Sequence, residues 1–199
     1  FETDVYSGSS PHAETMERRA LSLWQMGQTF PHYLLLSARS LITRTVGPKE
    51  VAALGAKIKI DEDHSPDDLV ERLAASGYVR EDPIANVGQF SVRGGILDVW
   101  SPDTDAPVRI EFFGDTVDSI RVFDPDTQLS TQRLKETSIA PMREFSATEK
   151  DFKDWSFFAR ERFADEAVSR SLRDRTDFAD EGESFTGWEF LMPLVKPLN

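Results

Sequence analysis

Apolar positions recur along this chain with three different periods, and the changes of period divide it. Met16, Ala20, Leu23 and Trp24 repeat at helical spacing and predict a helix over 10–26, with Ser10 as N-cap, Pro11 in the first turn and an end near Gly27. Tyr33-Leu34-Leu35-Leu36 is a continuous apolar run, the pattern of a strand covered on both faces. Ser40 and Pro48 open two further short helices, the second closing at Gly55. The period then becomes two at Lys57-Ile58-Lys59-Ile60. Ser65-Pro66-Asp67-Asp68 supplies an N-cap, an N1 proline and acidic groups for the helix dipole, with Leu69, Val70, Leu73 and Ala74 as the buried stripe and Gly77 as the stop. Three strand runs follow, Gln89–Val92 continuing through Gly94-Gly95 to Trp100, Pro107–Phe113 and Val117–Phe123, an antiparallel meander packed on one helix. Helical spacing returns with Phe152, Trp155, Ala159 and Phe163, and continues with Ala167, Val168 and Leu172. Asp174–Ser184 reads as a polar loop, and Phe190–Val195 as an apolar element of a larger domain.

The expected architecture is therefore mixed α/β and α+β, with an antiparallel sheet and helix module inserted between two pieces of one interrupted α/β domain. The segments are 1–55, 56–144 and 145–199. The 199 residues carry 23 Lys+Arg and 35 Asp+Glu, a net charge of −12, which makes phosphate backbones unfavourable partners. By segment the basic and acidic counts are 5 and 5 over 1–56, 10 and 18 over 57–144, and 8 and 12 over 145–199, so the middle module holds −8 of the total. No stretch approaches the roughly 20 apolar residues of a membrane helix. The absence of cysteine excludes disulfides and thiolate metal sites and fits a reducing, cytoplasmic setting. A first residue Phe1, with no initiator Met and no signal segment, reads as the start of a piece cut from a longer chain.

Asp61-Glu62-Asp63-His64 matches the D-E-x-H pattern of helicase nucleotide sites. Such a site needs a buried parallel strand before it and a Gly-rich phosphate loop, whereas here Lys57 and Lys59 precede and a capped helix follows, so an acidic loop is the better reading. His12, His32 and His64 are too scattered for a metal site, and Asp103-Thr104-Asp105 and Asp124-Pro125-Asp126 read as turns. No catalytic, metal-ligating or cofactor-binding set emerges.

The informative strand is Val108-Arg109-Ile110-Glu111-Phe112-Phe113. Alternation sends Val108, Ile110 and Phe112 to the core and Arg109, Glu111 and Phe113 to the other face. On the neighbouring strand Arg93 shares that face, and Gly94-Gly95 permits a bulge or the close approach of another backbone. Two arginines beside an exposed aromatic are either a binding socket for an acidic or mixed protein surface, or neutralise Glu111, Asp98 or Asp118 across the strands.

Gly88-Gln89-Phe90-Ser91-Val92-Arg93-Gly94-Gly95-Ile96-Leu97-Asp98-Val99-Trp100 and Val108–Asp115 resemble the module shared by UvrB and the bacterial transcription-repair coupling factors. The resemblance runs from Gly77-Tyr78 through Ser119–Gln128 and Pro141–Phe145, and Phe123-Asp124 with Thr127-Gln128 and the late Trp188–Leu194 are similar to the coupling factors in particular. It implies a degenerate, non-catalytic RecA/P-loop-like domain in two pieces, interrupted by a domain that recruits UvrA to stalled RNA polymerase. It further implies that Arg93, Arg109 and Phe113 contact UvrA, that this segment holds no cofactor, and that a C-terminal domain masks the face. RNA polymerase, duplex DNA, ATP and Mg would be engaged by domains beyond this segment. The alternative is a UvrB-like, nucleotide-dependent damage-recognition or helicase fragment.

Overall fold

A computed structural model describes residues 9–28, 33, 35–42, 44–164 and 166–196, with side chains described at these positions except 39, 42 and 166–171. The chain divides into two compact units, one drawn from Phe1–Met16, Tyr33–Gly47 and Ala147–Asn199, the other from Glu17–His32 and Pro48–Ser146. None of the described helices is long and apolar enough to cross a membrane.

In the larger unit, β1 (Ala56–Lys59) leads to α4 (Pro66–Ala75), which follows α1 (Ala13–Met26), α2 (Ala38–Ile42) and α3 (Pro48–Leu54) in the chain. Next come β2 (Val79–Arg80), β3 (Gln89–Arg93), β4 (Ile96–Val99), β5 (Val108–Phe113), β6 (Thr116–Phe123), β7 (Ser130–Leu134) and β8 (Glu136–Ile139). Strands β2 to β7 form one six-stranded sheet in chain order, antiparallel except where β2 runs parallel to β3, and β1 pairs antiparallel with β8 in a separate ribbon. This is an α+β arrangement.

Helix α4 forms as its punctuation predicts: the Ser65 hydroxyl accepts the Asp68 N–H at 3.2 Å, and Pro66 occupies the first turn. Leu69 and Leu73 are buried against the sheet, while Ala74, expected in that stripe, faces solvent. The helix ends at Ser76, and Gly77 takes φ +102° immediately after it. Together with Ile58, Phe90, Leu97, Val99, Val108, Ile110, Val117 and Ile120, the two leucines make one apolar core between α4 and the inner face of the sheet. Tyr78 closes its end by donating to the Ala140 carbonyl at 2.6 Å, and burial pushes its hydroxyl pKa up. Gly55 is required by close approach: a Cβ there would meet Trp24 of α1 at 2.5 Å and the Ile139 carbonyl at 2.6 Å.

The smaller unit contains α5 (Glu149–Arg162), α6 (Glu166–Asp180) and two 3-10 turns, Trp188–Phe190 and Met192–Leu194. Thr148 and Asp151 form a capping box on α5. Phe152, Trp155, Phe185 and Trp188 build an aromatic core, with Phe152 edge-on to Trp188 at 5.1 Å.

Four expectations are corrected. Ser10 does not cap α1: its hydroxyl accepts the Gly187 N–H at 3.0 Å and donates to Glu189 at 2.9 Å, and the helix starts at Ala13. Tyr33, Leu35 and Leu36 are exposed and belong to no strand, because no described strand lies alongside to take their backbone groups; Leu34 lies outside the described residues. Asp174–Asp180 is helical rather than looped, since Ser156 and Arg160 of α5 bond Asp180 while Thr176 and Ala179 are small enough to be buried. Phe163 ends α5 half-exposed instead of joining its buried stripe; the side chains of Ala167 and Val168 lie outside the described set.

Leu97 is 1% exposed in the centre of the sheet core. Leu97→Ala should destabilise the chain by about 2–5 kcal/mol, read as a lower urea midpoint at unchanged slope. A loss below about 1 kcal/mol would show that this core is not closely packed around the leucine.

Candidate protein-docking face

The register of the large sheet decides which side chains share its outer face. Ser91 pairs with Asp98, Asp98 with Arg109, Arg109 with Arg121 and Arg121 with Arg133, so one row crosses the sheet from β3 to β7. A second row contains Arg93, Ile96, Glu111 and Ser119. Residues directly opposite in a ladder point to the same side, and the core residues alternate with these rows on the inner side.

Asp98 organises the face. It is 1% exposed and lies between two arginines. Arg109 approaches it as a two-pronged fork, Nε to Oδ1 at 2.7 Å and one Nη to Oδ2 at 2.8 Å, while an Nη of Arg93 reaches Oδ2 at 2.7 Å. Arg109 also donates to Gln128 Oε1 at 3.1 Å and lies 4.5 Å from the centroid of the buried Phe123 ring. Its side chain is only 17% exposed, against 45% for Arg93. Of the three neutralising partners open from the sequence, Asp98 takes both arginines; Glu111 instead bonds Ser119 and Arg121.

Phe113 stands apart from this network at 85% exposure. It is the last residue of β5, paired with Thr116 across a turn in which Gly114 has φ +62°. A register shift at Glu111/Phe112 leaves Asp118 as the extra residue of β6, while Phe112 still packs on the core. The Asp61–His64 loop braces the hairpin: Asp61 N–H donates to the Val117 carbonyl at 2.9 Å, Val117 N–H to Glu62 at 3.0 Å and His64 N–H to Asp115 at 2.8 Å. The Thr116 hydroxyl adds a bond to Asp63 at 2.7 Å. Gly95 lets backbone approach as expected, but the neighbour is this chain's own Phe112, whose N–H donates to the Gly95 carbonyl at 2.8 Å.

Asp124 also behaves as turn chemistry predicts, its Oδ1 accepting the N–H groups of Asp126 and Thr127 at 2.9 Å. Asp103 does more than shape a turn, accepting bonds from Ser101 and Ser138. Sequence alternation placed Arg93, Arg109 and Phe113 on one face. It offered Asp98 as one of three cross-strand partners, the one the register selects, and missed Phe123 and Gln128, which reach Arg109 from the strand end and a loop rather than through spacing along one strand.

Residues 56–145 match the family model of the UvrB interaction domain. The transcription-repair-coupling factor of Myxococcus xanthus is 38% identical over 192 residues, covering 94% of this chain and 16% of its own length. That of Haemophilus influenzae is 28% identical over 194 residues, 98% of this chain and 17% of its own. That of Bacillus subtilis is 38% identical over 112 residues, 56% and 10% respectively. The chain belongs to the transcription-repair-coupling factor family. It spans less than a fifth of the length of these relatives, in the region that carries the UvrB interaction domain. In this coupling-factor domain the Asp98 cluster, the braced hairpin and Phe113 all lie within the matched residues.

Glu111 gives the face a pH dependence. Hydrogen bonds from Arg121 first and Ser119 second hold its carboxyl below the ordinary 4.5. A lowered folded-state value means that the stabilisation is present above pH 4.5 and is lost as pH falls through the folded value. Glu111→Gln should therefore flatten the fall in stability as pH drops below 4.5, measured by urea midpoints. Parallel profiles for wild type and variant would show that this pairing adds nothing to folding.

Proposed function

We propose that the chain is a non-catalytic adaptor that docks UvrA, with Phe113 as the anchor and Arg93 and Arg109 as charge-assisted donors beside it. The observation that carries this reading is the 85% exposure of Phe113 on a hairpin tip braced by a second loop. A large aromatic held in water on a fixed support gains more from a partner's pocket than a mobile one does. Arg93 retains an exposed guanidinium while Asp98 fixes its direction, and Arg109 supports the same carboxylate from within the sheet. Membership of the coupling factors and the match to the UvrB interaction domain support UvrA as the partner. In the same proposal, residues 1–55 and 145–199 belong to one interrupted, degenerate ATPase-like domain that frames the docking module.

The nucleotide-dependent alternative has less support. The acidic loop that suggested it commits backbone groups of Asp61, Glu62 and His64, and the Asp63 carboxylate, to the β5–β6 hairpin.

Calorimetric titration of the chain with purified UvrA tests the proposal. Phe113→Ala should weaken binding by about 2 kcal/mol or more, close to thirtyfold, with an unchanged circular dichroism melt. Wild-type affinity in both Phe113→Ala and Arg93→Ala would overturn it, as would nucleotide binding by the chain that disappears in Glu62→Gln.

A further inference from the structure

Three arginines stand directly opposite one another on adjacent strands: Arg109 on β5, Arg121 on β6 and Arg133 on β7. Like charges in cross-strand register are destabilising, and each needs a reason. Arg109 has Asp98 and Arg121 has Glu111. Arg121 is incompletely satisfied, since its Nε is buried without an acceptor. The Arg133 side chain is exposed on the edge strand and makes no ion pair or hydrogen bond among the described residues. Adding Arg93, the two rows hold four arginines against the carboxylates Asp98 and Glu111, with Asp82 3.7 Å from Arg93 at the far edge. The surplus positive charge thus lies toward β7, away from Asp82, in a chain whose net charge is −12.

We propose that the docking face extends across the sheet to β7, and that Arg121 and Arg133 recognise a row of carboxylates on the partner protein. This rests on the docking function proposed above and names the chemistry of the partner's side. Adjacent strands lie about 4.8 Å apart, so the three arginine positions span roughly 10 Å, a length that two or three carboxylates on one helix or strand can match. Charge complementarity decides for a protein surface over a nucleic acid. Asp98 and Glu111 are interleaved with the arginines and the chain as a whole is strongly acidic, which repels a continuous phosphate backbone but tolerates discrete carboxylates. Arg121, on β6 opposite Arg109, directs the partner, and Arg133 contributes mainly to the rate of encounter.

The test is titration of the chain with purified UvrA at low and high salt, using Arg133→Glu, Arg133→Lys and Phe113→Ala. Arg133→Glu should weaken binding about five- to tenfold at low salt and much less at high salt, with an unchanged melt, while Arg133→Lys stays within about twofold of wild type. If Phe113→Ala abolishes binding but Arg133→Glu leaves it unchanged, the extended stripe is wrong and the docking function stands. If neither variant changes the affinity, both are wrong. If a short DNA duplex binds the chain and Arg133→Glu removes that binding, the stripe is a nucleic-acid surface and the proposal is overturned.

Discussion

A carboxylate at 1% exposure, Asp98, fixes the outer face of the large sheet. Burying a charge in a sheet is unfavourable unless it is paired and hydrogen-bonded. Three arginine hydrogen bonds meet that requirement, and the register Asp98 to Arg109 places the fork opposite its acceptor. Removing one member of such a pair typically costs about 3–5 kcal/mol because the other is left buried and uncompensated. The same constraint reaches outward. Arg109 is confined between Asp98, Gln128 and the Phe123 ring, and Arg93 is held by one Nη on Asp98, with the other 3.7 Å from Asp82 and the side chain 45% exposed.

The acidic loop and the hairpin tip depend on each other in a second way. Asp61 sits at φ +66°, a conformation that Asp tolerates better than most residues, and from there the chain turns to meet β6. Its bond to Val117 and those of Glu62 and His64 convert the end of a two-stranded turn into a three-segment structure. A motif that resembles a nucleotide site in one dimension is a structural clip in three.

Much of this was legible in the residues. Alternation from Val108 to Phe113 sorted core from surface, and Ser65-Pro66 marked the start of α4, because both signals are local. Strand β7 was not foreseen: Ser130–Leu134 is a polar edge strand with no alternating apolar face to announce it, and the significance of Arg133 follows from its pairing alone. The end of α6 was hidden for a related reason, since Thr176 and Ala179 bury a helix face without large apolar side chains. Tyr33–Leu36 erred the other way. Its apolar run carries no information about whether a neighbouring strand is there to receive it.

The brace on the β5–β6 turn also bears on the kinetics of association. Ordering a free loop at an interface costs roughly 0.5–1.5 kcal/mol for each immobilised side chain, besides the backbone. Here four bonds have already set the hairpin before any partner arrives. A surface prepared in this way has little folding to do on contact. In the proposed docking, encounter would then be a matter of orientation and electrostatic steering, and the lifetime of the complex would be set by how well a pocket accepts the Phe113 ring.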